Sequence, residues 1–139
     1  MSIAEPIDVI GQMHRAQNAH DLEAFVACFA EDYQSEQPAH PDRGFTGREQ
    51  VRKNWGAAFR DIPDFSADLL RSVTTHDTVW SEWHWQGAPT AGGRFEWRGV
   101  IIMGIADDRI AWSRLYMGPV EHLGPGIDAV VRDIGHGTA

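Results

Sequence analysis

The chain carries one cysteine, no run of lysine or arginine, no long apolar stretch and no phosphate-cradling glycine loop. Each absence removes a class of function. With Cys28 alone, neither an internal disulfide nor a cysteine-rich metal site can form. Its neighbours Phe25, Val26 and Phe29 mark it as a buried small hydrophobe rather than a nucleophile. A formal net charge of −8 without a basic footprint argues against nucleic acid or an anionic membrane as partner. No segment approaches the roughly 18 apolar residues of a membrane span. The first residues, MSIAEPIDVI, lack a basic segment leading into an apolar core, so cytoplasmic residence is the expectation. Without a helix-flanked glycine loop, a GxSxG elbow or a Cys/His pair, nucleotide-dependent and acyl-enzyme chemistry are disfavoured, and no cofactor is expected. His14, His20, His76, His122 and His136 do not pair at ligand spacing; Glu82 and His84 could offer two ligands on one strand face, but a third is not evident, so no metal is expected.

What is present reads as one domain over residues 1–117, followed by a glycine-rich tail over 118–139. Apolar residues at Ile7, Ile10, Met13 and Ala16, with Val9, predict a first helix over 7–19. Asp21 is placed to cap a second, whose buried stripe is Leu22, Phe25, Val26 and Phe29. Thr46-Gly47-Arg48-Glu49 reads as a capping box that opens a third helix, with Val51, Trp55, Ala58 or Phe59 and Ile62 on its buried side and Pro63 as its stop. A short strand is expected around Tyr33 to Gln37. After Pro63 the apolar period changes from helical to two: Phe65, Ala67, Leu69 and Val73 alternate with polar residues. Strands over 78–86, 94–105 and 109–117 then follow, separated by His76-Asp77, Pro89 to Gly93 and Asp107-Asp108. Helices first and an antiparallel meander afterwards predict an α+β fold in which helices cover one sheet face. Ile127, Val130, Val131 and Ile134 suggest a short terminal helix that docks on the body or on a partner, with frayed last residues.

Five of the six tryptophans fall on the meander: Trp80, Trp83, Trp85, Trp97 and Trp112. Alternate strand residues share a face. The more polar set, Trp80, Glu82, His84, Arg98, Trp112, Arg114 and Tyr116, is therefore expected to line the concave face. Trp83, Trp85 and Trp97 then belong to the convex face and a homodimer interface. A bulge near Gly87, Gly99 or Gly104 would exchange the two faces. On this placement Glu82 orients His84 for proton transfer, and Arg98, Arg114 and Tyr116 hold a developing oxyanion. Trp80, Trp112, Tyr33, Trp55 and Phe59 would contact a small hydrophobic molecule, with His40 closing the mouth beside Glu36. The same polar residues are also compatible with noncatalytic ligand binding, or with structural pairing of Glu82 to Arg98 or Arg114.

The segments DLEAFVACFAEDY, FTGREQV, FEWRGVIIMGI and DDRIAW, spread over residues 5–117, resemble the nuclear transport factor 2-like superfamily. Within it, the chain looks most like the SnoaL-like polyketide cyclase and ketosteroid isomerase-like branch. The resemblance implies a cone-like fold: three N-terminal helices packed on a strongly curved, mainly antiparallel sheet around a cavity. It implies cofactor-independent isomerisation, cyclisation or hydration/dehydration of a hydrophobic carbonyl, polyketide-like or terpenoid-like substrate, or else noncatalytic binding, since members do both. The catalytic patterns of individual branches are not matched. Gln37-Pro38 stands where isomerases have a base Asp before the proline. Met13 and Ile101 stand where they have a tyrosine and a protonated acid. Arg98-Gly99-Val100 replaces the Asp-Arg-Asp arrangement of limonene epoxide hydrolase-like proteins. Arg114 and Tyr116, with Glu121 only after the strand, stand where SnoaL-like cyclases carry an acidic base.

Overall fold

A computed structural model of the chain describes residues 5–137. The expectation of fraying at the last residues falls partly outside that range. Helix α1 spans Pro6–Ala19, with proline at its first position, where a missing N–H costs nothing. It ends at His20, which takes the left-handed conformation (φ 56°). Helix α2, Leu22–Ala27, is capped as expected: Asp21 Oδ1 accepts from the Ala24 amide at 3.2 Å. Phe29 departs from its expected helical place and opens strand β1, Phe29–Glu36. A 3-10 turn at Pro41–Arg43 and a two-residue strand β2, Phe45–Thr46, lead into α3, Arg48–Asp61. The expected capping box at Thr46 is not formed, because Thr46 is committed to β2 and Gly47, at φ 101°, takes the cap position without a side-chain bond. Pro63 follows the last turn of α3, as its missing N–H requires.

Strands β3 (Ser66–Thr75), β4 (Thr78–Gly87), β5 (Phe95–Ala106) and β6 (Arg109–Pro119) form the meander, and α4, Ile127–Gly135, follows. The sheet order is β2-β1-β6-β5-β4-β3, antiparallel except for the β1–β6 pair. Asp107 and Asp108 both take positive φ, as a tight hairpin between twisted strands demands. Register shifts between Phe29 and Gln34, Leu69 and Arg71, and Gly104 and Ile105 add local bends, so the sheet curls.

The helices cover the face carrying Val79, Ser81, Trp83 and Trp85. Those residues pair with Met103, Ile101, Gly99 and Trp97 on β5, which in turn face Ser113, Leu115, Met117 and Pro119 on β6. Trp83 is fully buried and Trp80 is 48% exposed. The expected assignment of sheet faces is thus reversed. No bulge interrupts the β4–β5 pairing, so a register slip is not the cause. Energetics decide it. Burying one tryptophan removes about 150–250 Å² from water, on the order of 4–6 kcal/mol at 25 cal/mol/Å². Turning Glu82 and Arg98 under the helices would instead cost several kcal/mol for each ion.

Gly99 holds the middle of β5 at φ 156°, and a Cβ built there overlaps the Tyr116 carbonyl oxygen and lies 2.8 Å from Met117 Cα. Both obstacles are backbone of the adjacent strand. Gly99→Ala is expected to lower unfolding free energy in urea by about 2–4 kcal/mol, and a loss below about 0.5 kcal/mol would contradict this close approach.

Candidate functional site

The cavity lies where α1 and α3 cross the buried sheet face. Helix α1 is tied to β3 through polar contacts: Asn18 exchanges two hydrogen bonds with Ala67 (2.7 and 2.9 Å), and the His14 ring donates to the Ala67 carbonyl at 2.7 Å. The His20 ring reaches the Phe65 carbonyl at 2.8 Å. Three histidine and asparagine side chains therefore fix the helix that roofs the site. His14 also stands edge-on to Trp83 at 4.9 Å between ring centres. Trp83 is held from behind: its Nε1 donates to Ser81 Oγ (2.8 Å), which donates to the Ile101 carbonyl (2.7 Å). From α3, Trp55 meets Trp85 at 5.3 Å in a T-shaped contact, and Trp85 stacks with Trp97.

These elements enclose a cavity of about 270 Å³, near the lower end of small-molecule pockets. Its walls are Met13 and Gln17 of α1, Phe25, Phe29 and Tyr33 further along, Trp55 and Ala58 of α3, and Trp83, Trp85, Trp97, Met103 and Met117 of the meander. Among the described lining residues there is no carboxylate, imidazole, amine, guanidinium or thiol. Tyr33 is the one ionisable group. Its hydroxyl makes a hydrogen bond with Ser113 Oγ, with Ser35 beside it. Burial pushes the phenol above its ordinary 10, against the lowering from the Ser113 and Ser35 hydrogen bonds. Tyr33 is therefore a neutral hydrogen-bonding group at physiological pH. Gln17 Oε1 and Trp85 Nε1, both buried, have no hydrogen-bond partner among the described residues, and their residues line the same space.

The candidate residues separate into two groups. Tyr33 and Trp55 line the cavity. Phe59 packs behind them, stacked on His20 at 4.7 Å and 5.8 Å from Trp55. His40 is exposed on the loop before the 3-10 turn, and Glu36 lies on the opposite sheet face, ion-paired to Arg114 at 3.6 Å. The residues expected on the concave face lie on the open one. Trp80, Trp112, Arg114 and Tyr116 surround a broad, open depression there. Glu82 pairs with Arg71 at 3.0 Å rather than with Arg98 or Arg114. Arg98 is exposed. His84 is partnered not by Glu82 but by Glu96, its Nε2 donating to Oε2 at 2.7 Å. Trp83, Trp85 and Trp97, expected on the convex side, form cavity wall. Gln17, Ser35, Ser113 and the methionines were missed in the sequence. Their signal was the apolar parity of β4 set against the helix stripes.

Glu96 anchors a polar cluster on the open face. Besides His84, it accepts from His122 Nε2 at 2.6 Å, and Arg94 Nε lies 3.6 Å away. Asp68 is 3.9 Å from the other nitrogen of His84. Hydrogen bonds from His122 and then His84 hold the Glu96 carboxyl down at about 2, from an ordinary 4.5. No group of three or more potential ligands suited to a metal ion occurs among the described residues. A carboxyl depressed on folding stabilises the protein fully above its unfolded value, and that contribution disappears as pH falls through about 2. Between pH 5 and 2, Tm of the wild type should therefore fall more steeply than that of Glu96→Gln; parallel curves would contradict the linkage.

The SnoaL-like domain family matches residues 10–113. Among solved structures, the proposed polyketide cyclase IdmH of Streptomyces antibioticus is 24% identical, with 83% of this chain and 91% of that one covered and a TM-score of 0.69. A Mycobacterium tuberculosis protein in complex with estradiol-17β-hemisuccinate is 19% identical, over 83% of this chain and 99% of that one, at 0.70. The proposed hydroxylase AclR of Streptomyces galilaeus is 16% identical, over 94% of both, at 0.74. At these identities the likeness is one of fold. No curated protein matches the chain in sequence. The family match spans most of the chain and agrees with helices packed on a curled six-stranded sheet over a cavity: the chain belongs to the SnoaL-like domain family, with a nuclear transport factor 2-like, ketosteroid isomerase-like fold.

Proposed function

We propose that this chain binds a small, mainly apolar ring compound of polyketide-like or terpenoid-like character in the helix-covered cavity, with an oxygen function of the ligand directed at Tyr33. One observation carries this reading: the described wall is aromatic and aliphatic, with neutral polar groups at a few points and no side chain able to act as a carboxylate or imidazole base. Such walls reward apolar area, while isolated polar groups fix orientation. The steroid conjugate held by the Mycobacterium tuberculosis protein is consistent in class. The sheet's open face serves homodimerisation, supported by exposed Val73, Trp80, Trp112 and Tyr116 in place of the tryptophans first expected there. Cytoplasmic residence is retained on the sequence expectation.

A second reading, cyclisation or isomerisation of the bound molecule without a cofactor, is favoured by Tyr33. A phenol kept protonated by burial can donate to a substrate carbonyl and stabilise negative charge developing on it. Proton transfer through Glu82 and His84 has no support from the cavity, which lies on the other side of the sheet from both.

Titration with polycyclic ketones and terpenoid alcohols should change tryptophan fluorescence and raise Tm. Ala58→Phe, which fills the cavity, should abolish both responses. Tyr33→Phe should weaken an oxygenated ligand by roughly 2- to 13-fold, the worth of one neutral hydrogen bond. Arg114→Ala should change nothing. Undiminished binding by the Ala58→Phe protein would refute the cavity as the site. Chromatography and NMR of the recovered ligand separate the two readings: an altered product that depends on Tyr33 indicates catalysis, and unchanged ligand indicates binding alone.

A further inference from the structure

We propose that α4 is a dimer clasp, its aliphatic stripe packing on the open sheet face of a second copy of this chain. This rests on the reading of that face as a self-association surface. Ile127, Val130, Val131 and Ile134 recur at the spacing that aligns them along one side of the helix. That side faces water: Ile127 is 74% exposed and Ile134 is 65% exposed. An isolated helix of nine residues is marginal in water, so the stripe needs a covering surface.

The root of α4 is fixed on the open side of the sheet. The Val120 amide donates to the Glu96 carbonyl at 3.0 Å, and His122 donates to the Glu96 carboxylate, whose other oxygen holds His84. Trp80, Trp112 and Tyr116 on the open face are an apolar surface that is likewise exposed. One chain thus presents both an exposed aliphatic ridge and an exposed aromatic surface. A twofold pairing brings each ridge onto the partner's aromatic surface, twice over, which is the self-complementarity an isologous dimer requires. Charge agrees. Asp128, in the first turn of α4, and Arg98, on the open face, each lack an ion pair among the described residues, and they are of opposite sign. A second copy supplies both the apolar and the charged complement.

The test is sedimentation equilibrium of the full chain, comparing wild type, the double variant Ile127→Glu/Val131→Glu, and Trp80→Glu. The wild type is expected to dimerise, with both variants raising the dimer dissociation constant at least 30-fold while circular dichroism and ligand response stay unchanged. A second variant pair, Arg98→Cys with Asp128→Cys in one chain, should give a covalent dimer on oxidation. If Trp80→Glu weakens the dimer and the helix variant does not, the clasp is overturned and the sheet reading stands. A monomeric wild type, or a dimer indifferent to Trp80→Glu, overturns the sheet reading and the clasp with it. A helix variant that lowers Tm independently of protein concentration, or a cysteine pair that closes only within one chain, shows α4 docked on its own body and overturns the clasp.

Discussion

Burial of Trp83 and Trp85 against α1 and α3 is the interaction on which the two sheet faces and the cavity depend. Once those indoles turn inward, period-two alternation commits each neighbouring residue: Val79 and Ser81 follow them, while Trp80, Glu82 and His84 turn out. Pairing carries the same choice across β5 and β6, so that Met103, Ile101, Ser113 and Met117 become wall and Arg98, Arg114 and Tyr116 become surface. The polar ties from His14 and Asn18 to Ala67 of β3, and from His20 to Phe65 just before it, then hold α1 over the wall. Small residues complete the arrangement, Ser81 by bracing the Trp83 indole and Gly99 by letting β6 approach.

Much of the fold was legible in the sequence because its signals are local. The change of apolar period at Pro63, the Asp21 cap and the Asp107-Asp108 hairpin each depend on a few neighbouring residues, and each element stands close to its expected bounds. The Thr46 capping box failed because β2, a tertiary pairing with β1, claimed that residue. The face of the meander was not legible by polarity alone. Strand parity separates two sets of residues without saying which set the helices cover, and the polarity of Glu82 and His84 points to the set opposite the one that is buried. The cost of burying charge exceeds that of leaving it in water, and the gain from burying indole favours the set with Trp83 and Trp85 inside. The partners of Glu82 and His84, Arg71 and Glu96, lie on neighbouring strands, and the first crosses a register shift that no sequence pattern marks.

The family frame and the cavity chemistry constrain function in complementary ways. A SnoaL-like fold supplies a concave space that supports many activities, so the residues lining it must carry any assignment. Here those residues are apolar apart from Gln17, Gln37, Asn54, the serines and Tyr33, with tryptophan indoles among them. Glu82, His84, Glu96 and Arg114 of the meander form surface pairs instead. Glu96 gathers two histidines from different segments and so connects the strand meander to the path of the C-terminal helix. The proposed binding and the proposed assembly would use opposite faces of one sheet, and neither requires the other face to change its chemistry.

The most direct measurement is methyl NMR of the methionine-labelled protein during titration with a hydrophobic ketone. Met13, Met103 and Met117 line the cavity from a helix and two strands, and the indole N–H groups of Trp80 and Trp112 report on the open face. The account predicts that the three methyl signals shift together and saturably while those two indole signals hold still. Shifts confined to Trp80 and Trp112, with the methyl signals unmoved, would contradict it.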